Sequence, residues 1–392
     1  MNTSACPSGN WHYPTPVLFG AGRIAELADS CRTLNIRRPL LVTGPTLAGL
    51  PMVRDAVAAN AAAGLTTAVF SELRPNPLDG SVLAGVDAFR RGDHDGIIAF
   101  GGGSAIDVGK LIAFMVAQTR PMWDFEDGGK RWARATVEGI APVIAVPTTA
   151  GSGSELGRAA VVTDSASGAK KLLFHPRMMP TLVIADPELT CSMDPTLTAD
   201  TGMDALAHCF EAYCANGYHP MAEGLAVEGM RLIKTWLPRA VANGADIEAR
   251  AHMLAASALG AGAFQKGVGA IHALSHPVSS LYDTHHGRTN AVFFPYVMTF
   301  NRDAIDDKCT RLAAWLELPG TGFEACLRWI VELRAAIGIP HTARDLGIEA
   351  AKIGRLSQLA AADPTASGNP VPVGEAEMHA LYERALAGRL TV

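Results

Sequence analysis

What this chain lacks bounds it before its motifs do. No apolar run approaches the roughly 18 residues that a membrane-crossing helix requires. Charged residues are only 18% of the 392, and the net charge of −5 leaves no basic excess for nucleic acid or an anionic membrane surface. The seven cysteines (Cys6, Cys31, Cys191, Cys209, Cys214, Cys309, Cys326) are odd in number, scattered, and without a C-x-x-C pair. They read as reduced thiols, mostly small core residues, in a cytoplasmic protein. None has an evident partner that would make it a nucleophile. The stretch from Met1 to Trp11 is polar and lacks the charged-then-apolar layout of a signal peptide. Repeats and low-complexity segments are absent too.

What is there describes a packed globular protein. Hydrophobic residues make up 48% of the chain, and its length is enough for two domains with full cores. Up to about residue 185, short β-rich runs (39–43, 66–70, 96–100, 142–146) alternate with helical stretches (53–63, 81–91). That alternation predicts an α/β domain with a parallel sheet, whose ligands bind beyond the carboxyl ends of the strands. After Asp186-Pro187 the texture changes to long Ala/Leu/His/Met-rich stretches (198–216, 221–240, 247–264, 269–282) without β-branched runs. These predict helices throughout. The expected division is therefore 1–185, α/β, and 186–392, all-α, with 363–370 as a late loop before a terminal helix.

Two loops in the first half have the chemistry of a nucleotide site. Gly101-Gly102-Gly103-Ser104 follows the run ending at Phe100 and opens a helix over 105–115. Backbone amides without Cβ atoms at a helix N-terminus suit a pyrophosphate. The spacing is not G-x-G-x-x-G, and a tight turn needs one glycine rather than three. Asp107 and Lys110 on that helix are within reach of a cofactor, or serve the helix surface. Pro147-Thr148-Thr149-Ala150-Gly151-Ser152-Gly153-Ser154-Glu155 follows the next strand, with hydroxyls and glycines suited to a ribose, a phosphate or a nicotinamide amide.

The second half carries a different chemistry. Asp204 and His208 lie one turn apart on one helix face, the separation at which two side chains reach one ion. A second i, i+4 pair, His272 and His276, and the doublet His285-His286 follow. Several imidazoles with one carboxylate suit Zn or Fe(II) and are too nitrogen-rich for Mg or Ca. Spacing leaves open which of His272, His276, His285 and His286 are ligands. His175 and His219 have no evident partner and read as structural.

Taken together, these motifs resemble the iron-containing (group III) metal-dependent alcohol dehydrogenases over almost the whole chain. Phe19-Gly20-Ala21-Gly22 looks like that family's N-terminal turn. The stretches 101–110 and 148–155 are similar to its two nucleotide loops. Asp186-Pro187-Glu188-Leu189-Thr190 and the stretch from Thr201 to Tyr213 resemble its helical signature. His272-Ala273-Leu274-Ser275-His276-Pro277 and His285-His286-Gly287 resemble its later histidine motifs.

The resemblance implies a dinucleotide-binding sheet domain, a helical metal-binding domain, and an active site in the cleft between them. It makes Asp204, His208, His272 and His286 the metal ligands, with Fe(II) first and Zn next. His276 becomes a second histidine near the substrate, a candidate proton relay. Gly102, Gly103 and Ser104 would hold the pyrophosphate of NAD or NADP, with Asp107 on the same helix. Thr148, Thr149 and Ser152 would meet the nicotinamide half, and Lys170 the adenosine ribose side. The implied activity is hydride transfer between a small primary alcohol or its aldehyde and nicotinamide. The partner is that small molecule, with no nucleic acid and no membrane, and the chain is expected as a homodimer or higher homo-oligomer.

Two departures bear on specificity. Where the family often has an Asp after the first strand of this domain, this chain has Gly44, so the charge that repels a 2′-phosphate is missing. The family's frequent Asn-Pro-Arg reads Asn369-Pro370-Val371 here. Lys266 and Arg288 flank ligand segments instead, as candidate holders of an acidic aldehyde or as solvated cations. Alternatives are a glycerol dehydrogenase, a maleylacetate reductase or a dehydroquinate synthase-like protein, each of the same superfamily. A non-catalytic nucleotide-binding protein and a cofactor-free metal-binding helical protein are the others. The full Asp/His set and the paired Gly-rich loops disfavour these.

Overall fold

The computed structural model describes residues 9–11 and 15–390. Cys6 and most of the Met1 to Trp11 stretch lie outside the described residues. Two compact units divide the chain, one of residues 1–149 and 153–192, the other of 150–152 and 193–392. The chain thus passes into the second unit seven residues later than position 185, because the turn Pro187–Thr190 stays with the first.

The first unit is built on a seven-stranded sheet ordered β1-β2-β9-β6-β5-β3-β4. Its strands are β1 (Gly9–Trp11), β2 (Val17–Phe19), β3 (Pro39–Val42), β4 (Ala68–Phe70), β5 (Gly96–Gly101), β6 (Val143–Pro147) and β9 (Leu182–Ala185). Only β1 is antiparallel to its neighbour. Residues of β3, β5 and β6 are all buried, which is why they read as unbroken apolar runs rather than alternating ones. Leu41, Ile98, Phe100, Ile144, Val146 and Ile184 form the core with Leu27 and Val53 from the helices α1 (Leu27–Thr33) and α3 (Pro51–Ala62). Three more helices, α2 (Pro45–Ala48), α4 (Asp79–Arg91) and α5 (Gly103–Met115), complete the layers. A hairpin of β7 (Ala159–Thr163) and β8 (Lys170–Phe174) stands apart from the sheet. The expected strands and helices of this half are all present within a few residues of their ends; β1, β2, β9 and the hairpin are additions.

The second unit contains no strand among the described residues. Its helices are α6 (Pro195–Cys214), α7 (Pro220–Ala242), α8 (Ile247–Ala263), α9 (Ala270–Tyr282), α10 (His286–Phe300), α11 (Arg302–Trp315), α12 (Gly322–Ala336), α13 (Ile353–Ala361) and α14 (Glu375–Ala387). Asp194 caps α6 by accepting from Leu197 N at 2.8 Å, with Pro195 at its first position. From Thr198 to Cys214 every residue of α6 is buried, so it runs through the middle of the unit. Its polar positions are therefore desolvated and must be satisfied by one another, by neighbours or by a ligand. At Gly287 a Cβ would lie 3.0 Å from Asp204 Cβ and still nearer the Asp200 carbonyl, so a bare backbone lets α10 seat against α6.

Candidate functional site

In the first unit β5 ends on Gly101, whose φ of +151° only glycine adopts without strain. The helix α5 starts two residues on, and its N-cap Gly102 has no side chain to offer the first amides. An uncapped helix start facing the carboxyl edge of a sheet is an anion cradle. The second loop is tied to the first, since Thr148 N donates to Gly101 O at 3.0 Å. A Cβ on Gly102 would stand 3.1 Å from Thr149 Oγ1, so the loops are in contact. Lys170 opens β8, half-buried. Gly44 caps α2 in an extended conformation, and a Cβ there would meet nothing within 4 Å. Ser152 belongs to the second unit, beside Gly151, which packs on Thr201 of α6.

Asp107 is bonded within its own unit. One oxygen accepts a hydrogen bond from the Ser154 hydroxyl, the other accepts from Val161 N at 3.0 Å, and Lys110 stands 3.1 Å away. The buried Lys110 ammonium in turn donates to Ser154 Oγ at 2.6 Å and to Ser154 O at 3.0 Å. The pair stitches α5 to the 154–161 segment, and both side chains are spent on that.

In the second unit, donor atoms of Asp204, His208 and His272 lie within 4.8 Å of one another, all three buried. His286 Nε2 is 3.7 Å from Asp204 Oδ1. The rings of His208 and His272 are 4.6 Å apart, and those of His272 and His286 5.4 Å. Asn290, one turn beyond His286, donates through Nδ2 to Asp204 Oδ1 at 2.7 Å. The same nitrogen lies 3.3 Å from His272 Nε2 and 3.1 Å from His286 Nε2. Three acceptor atoms thus converge on one proton-bearing group, as they would on a cation.

The remaining imidazole nitrogens are mostly engaged elsewhere, which fixes where the lone pairs point. His272 Nδ1 is bonded to Glu211 Oε2, His286 Nδ1 lies 3.1 Å from Ser275 Oγ, and His276 Nδ1 lies 2.8 Å from Asp363 Oδ2. His208 Nδ1 is buried without a hydrogen-bond partner. Burial pushes the His208 pKa down to about 4; the Asp204 charge pulls the other way, as does the Gly151 backbone, which makes no hydrogen bond of ordinary geometry to Nδ1. The ring is therefore neutral, as a ligand must be. Burial also opposes charge on His272, but the Glu211 carboxylate outweighs it and raises that pKa. Nitrogen and carboxylate donors, buried, convergent and backed by carboxylates, fit Fe(II) or Zn.

His276 is beside this cluster, its ring stacked on His286 at 5.2 Å. Its partner Asp363 is held below the usual carboxylate range: burial would raise it, but the His276 charge and bonds from His276 and Thr365 outweigh that. His175 and His219 act as structural caps, accepting from Arg177 N at 3.0 Å and Ala222 N at 3.3 Å.

The two candidate cations are each paired with a carboxylate. Lys266 is buried and bonded to Glu223 Oε1 at 2.6 Å and Tyr213 O at 3.2 Å. Arg288 is bonded through Nε to both oxygens of the buried Asp200, at 3.0 and 3.1 Å. Each flanks a site segment in sequence, but a nearer carboxylate takes its charge. Burial drives Cys31, Cys209 and Cys214 up to about 12, leaving no thiolate on them.

Sequence reasoning missed Glu211, Asn290, Ser275 and Asp363. Helical spacing carried a signal for three of them. Glu211 follows His208 by three residues, Asn290 follows His286 by four, and Ser275 follows His272 by three. Asp363 had none, since it reaches His276 from a loop 87 residues away.

Family models agree with this picture. The one described as iron-containing alcohol dehydrogenase matches residues 14–187, and the one described as the C-terminal part of the Fe-containing alcohol dehydrogenase family matches 198–386. The 4-hydroxybutyrate dehydrogenase of Cupriavidus necator is 35% identical, over 96% of this chain and 99% of that protein. The 1,3-propanediol dehydrogenase of Klebsiella pneumoniae is 33% identical, over 95% and 97%. Among solved structures, a 1,3-propanediol oxidoreductase superposes with a TM-score of 0.89 at 33% identity, covering 94% of this chain and 97% of its own. A sulfoacetaldehyde reductase from Bifidobacterium kashiwanohense, in complex with NAD+, gives 0.85 at 28% identity, over 97% and 98%.

Proposed function

The chain belongs to the iron-containing alcohol dehydrogenase family, and from that premise we propose that it interconverts a small primary alcohol and its aldehyde with NAD or NADP and one divalent ion, Fe(II) or Zn. The observation that carries this is the convergence of Asp204, His272 and His286 on one point, with neutral His208 beside it. In this reading those four residues hold the ion. When bound, the ion supplies Lewis acidity to the substrate oxygen, and the nicotinamide takes or gives the hydride.

The chain's own residues do the rest. Gly102, Gly103 and Ser104 offer first-turn amides to the pyrophosphate, and Thr148, Thr149 and Ser152 offer hydroxyls to the nicotinamide half. Lys170 serves the adenosine ribose side. Gly44 leaves room for a 2′-phosphate without repelling it. Asp363 accepts a hydrogen bond from His276 Nδ1–H and so leaves Nε2 as the atom that moves a proton toward water. Buried thiols such as Cys31, Cys209 and Cys214 support a reducing, cytoplasmic setting, and β4, an edge strand among the described residues, supports assembly as a homo-oligomer.

Relatives acting on 4-hydroxybutyrate and on 1,3-propanediol frame the substrate test. Because Lys266 and Arg288 are spent on Glu223 and Asp200, an acidic group should gain nothing from either. Comparing kcat/KM for 4-hydroxybutyrate and 1,3-propanediol in wild type, Lys266→Ala and Arg288→Ala is expected to give a ratio unchanged by both substitutions. A selective loss on the acid would return the cations to the substrate site.

A further inference from the structure

We propose that Glu211 is a positioning residue that aims His272 at the ion, fixing both its ring tautomer and the start of the helix that carries it. The proposal rests on the four-residue donor set above. Glu211 is buried on α6, and both its oxygens are used on α9. Oε1 accepts from Ile271 N at 2.7 Å, and Oε2 is bonded to His272 Nδ1. One carboxylate thus holds the backbone and the ring of neighbouring residues, leaving the ring no freedom to swing.

The start of α9 needs such an acceptor. Its N-cap is Gly269, which has no side chain to cap the first amides. Asn369 takes Ala270 N at 3.3 Å, and Glu211 takes Ile271 N. Asn369 is itself fixed by Asn301, through bonds of 2.8 and 2.9 Å. A Cβ on Gly269 would lie 3.1 Å from Glu211 Oε1 and 3.0 Å from Asn369 Oδ1, so the turn closes directly onto both acceptors. With the proton of His272 on Nδ1, its lone pair is on Nε2, the atom 3.3 Å from Asn290 Nδ2 where the other donors converge.

A cap alone would stabilise α9 without touching ion affinity; a positioning carboxylate must do both. Losing an outer carboxylate of this kind typically costs about 10- to 100-fold in metal affinity. Gln at 211 keeps the shape and one acceptor, enough for Ile271 N–H or His272 Nδ1–H but not for both.

The test is chelator competition for Zn(II) on full-length wild type, Glu211→Gln and Asp204→Ala. The metal-free melting temperature and NADH affinity serve as folding controls, and the visible spectrum of the Co(II) form reports on geometry. Glu211→Gln should bind Zn(II) at least tenfold more weakly, with an altered Co(II) spectrum and unchanged NADH affinity. Zn(II) affinity within twofold of wild type would make Glu211 a cap only and overturn the proposal. An Asp204→Ala protein that keeps the ion would overturn the donor set and this proposal with it. Should Glu211→Gln fail to fold, imidazole nitrogen NMR of Zn-loaded wild type decides: His272 protonated on Nδ1 upholds the proposal, and protonated on Nε2 refutes it.

Discussion

His208 is neutral because it is buried, and its position one turn from Asp204 on the buried stretch of α6 leaves it little to do except bind. His208→Ala should therefore abolish the ion, read by metal analysis of the dialysed protein, while the first unit still binds NADH. At Gly44 the prediction concerns charge. A Cβ there meets nothing, so Asp fits sterically, and its carboxylate should depress NADP use at least tenfold more than NAD use. Steady-state kinetics with both cofactors checks it; equal effects would place Gly44 away from the ribose. Asp204 and His208 were legible because helical spacing alone puts them on one face. Which later histidines join them was legible only through family resemblance. Glu211 and Asn290 were overlooked although spaced to be found, because a Glu or Asn at such spacing is ordinary on any helix. Asp363 was hidden, as were the commitments of Lys266 and Arg288, since these depend on side chains distant in sequence.

Among the elements, the uncapped start of α5 is the test of the nucleotide site. A branched side chain from Gly103→Val would stand where the pyrophosphate approaches and should cost about 1.5–3 kcal/mol of NADH binding, the worth of a charge-assisted hydrogen bond. Unchanged affinity by calorimetry would remove that role. The short turn Ser154–Leu156 holds a second test. Burial raises the pKa of Glu155 to about 7 from its ordinary 4.5, against a backbone hydrogen bond and the charge of Lys110. A raised folded pKa means the folded state binds the proton more tightly than the unfolded chain. Glu155 thus contributes stability that is complete below pH 4.5 and lost as pH rises through 7. Glu155→Gln should flatten that decline and stabilise the protein at pH 8 by on the order of 3 kcal/mol, measured by urea unfolding across pH. A variant less stable than wild type at pH 8 would contradict it. The buried strands β3, β5 and β6 were legible as apolar runs bounded by turns. Three-residue β1 and β2 carry too little pattern to be seen, and β7 and β8 alternate only weakly.

At the scale of the molecule, the change from β-rich to helix-rich texture was plain in the sequence, and so was the class of chemistry in each half. Lys266 and Arg288, which the sequence offers as candidate holders of an acidic aldehyde or as solvated cations, each pair with a carboxylate distant in sequence. Glu223 and Asp200 are nearer to those charges than any substrate is required to be. The central expectation is that alcohol oxidation depends on an ion held by Asp204, His208, His272 and His286. Its most direct test is metal content together with alcohol-dependent NAD(P)H formation, on anaerobically purified wild type and His208→Ala reconstituted with Fe(II) or Zn(II). The expected result is one ion per chain with turnover in wild type, and loss of both in the variant with NADH binding retained. An ion kept at full occupancy in His208→Ala, or a metal-free wild type that turns over as fast as the loaded one, would contradict it.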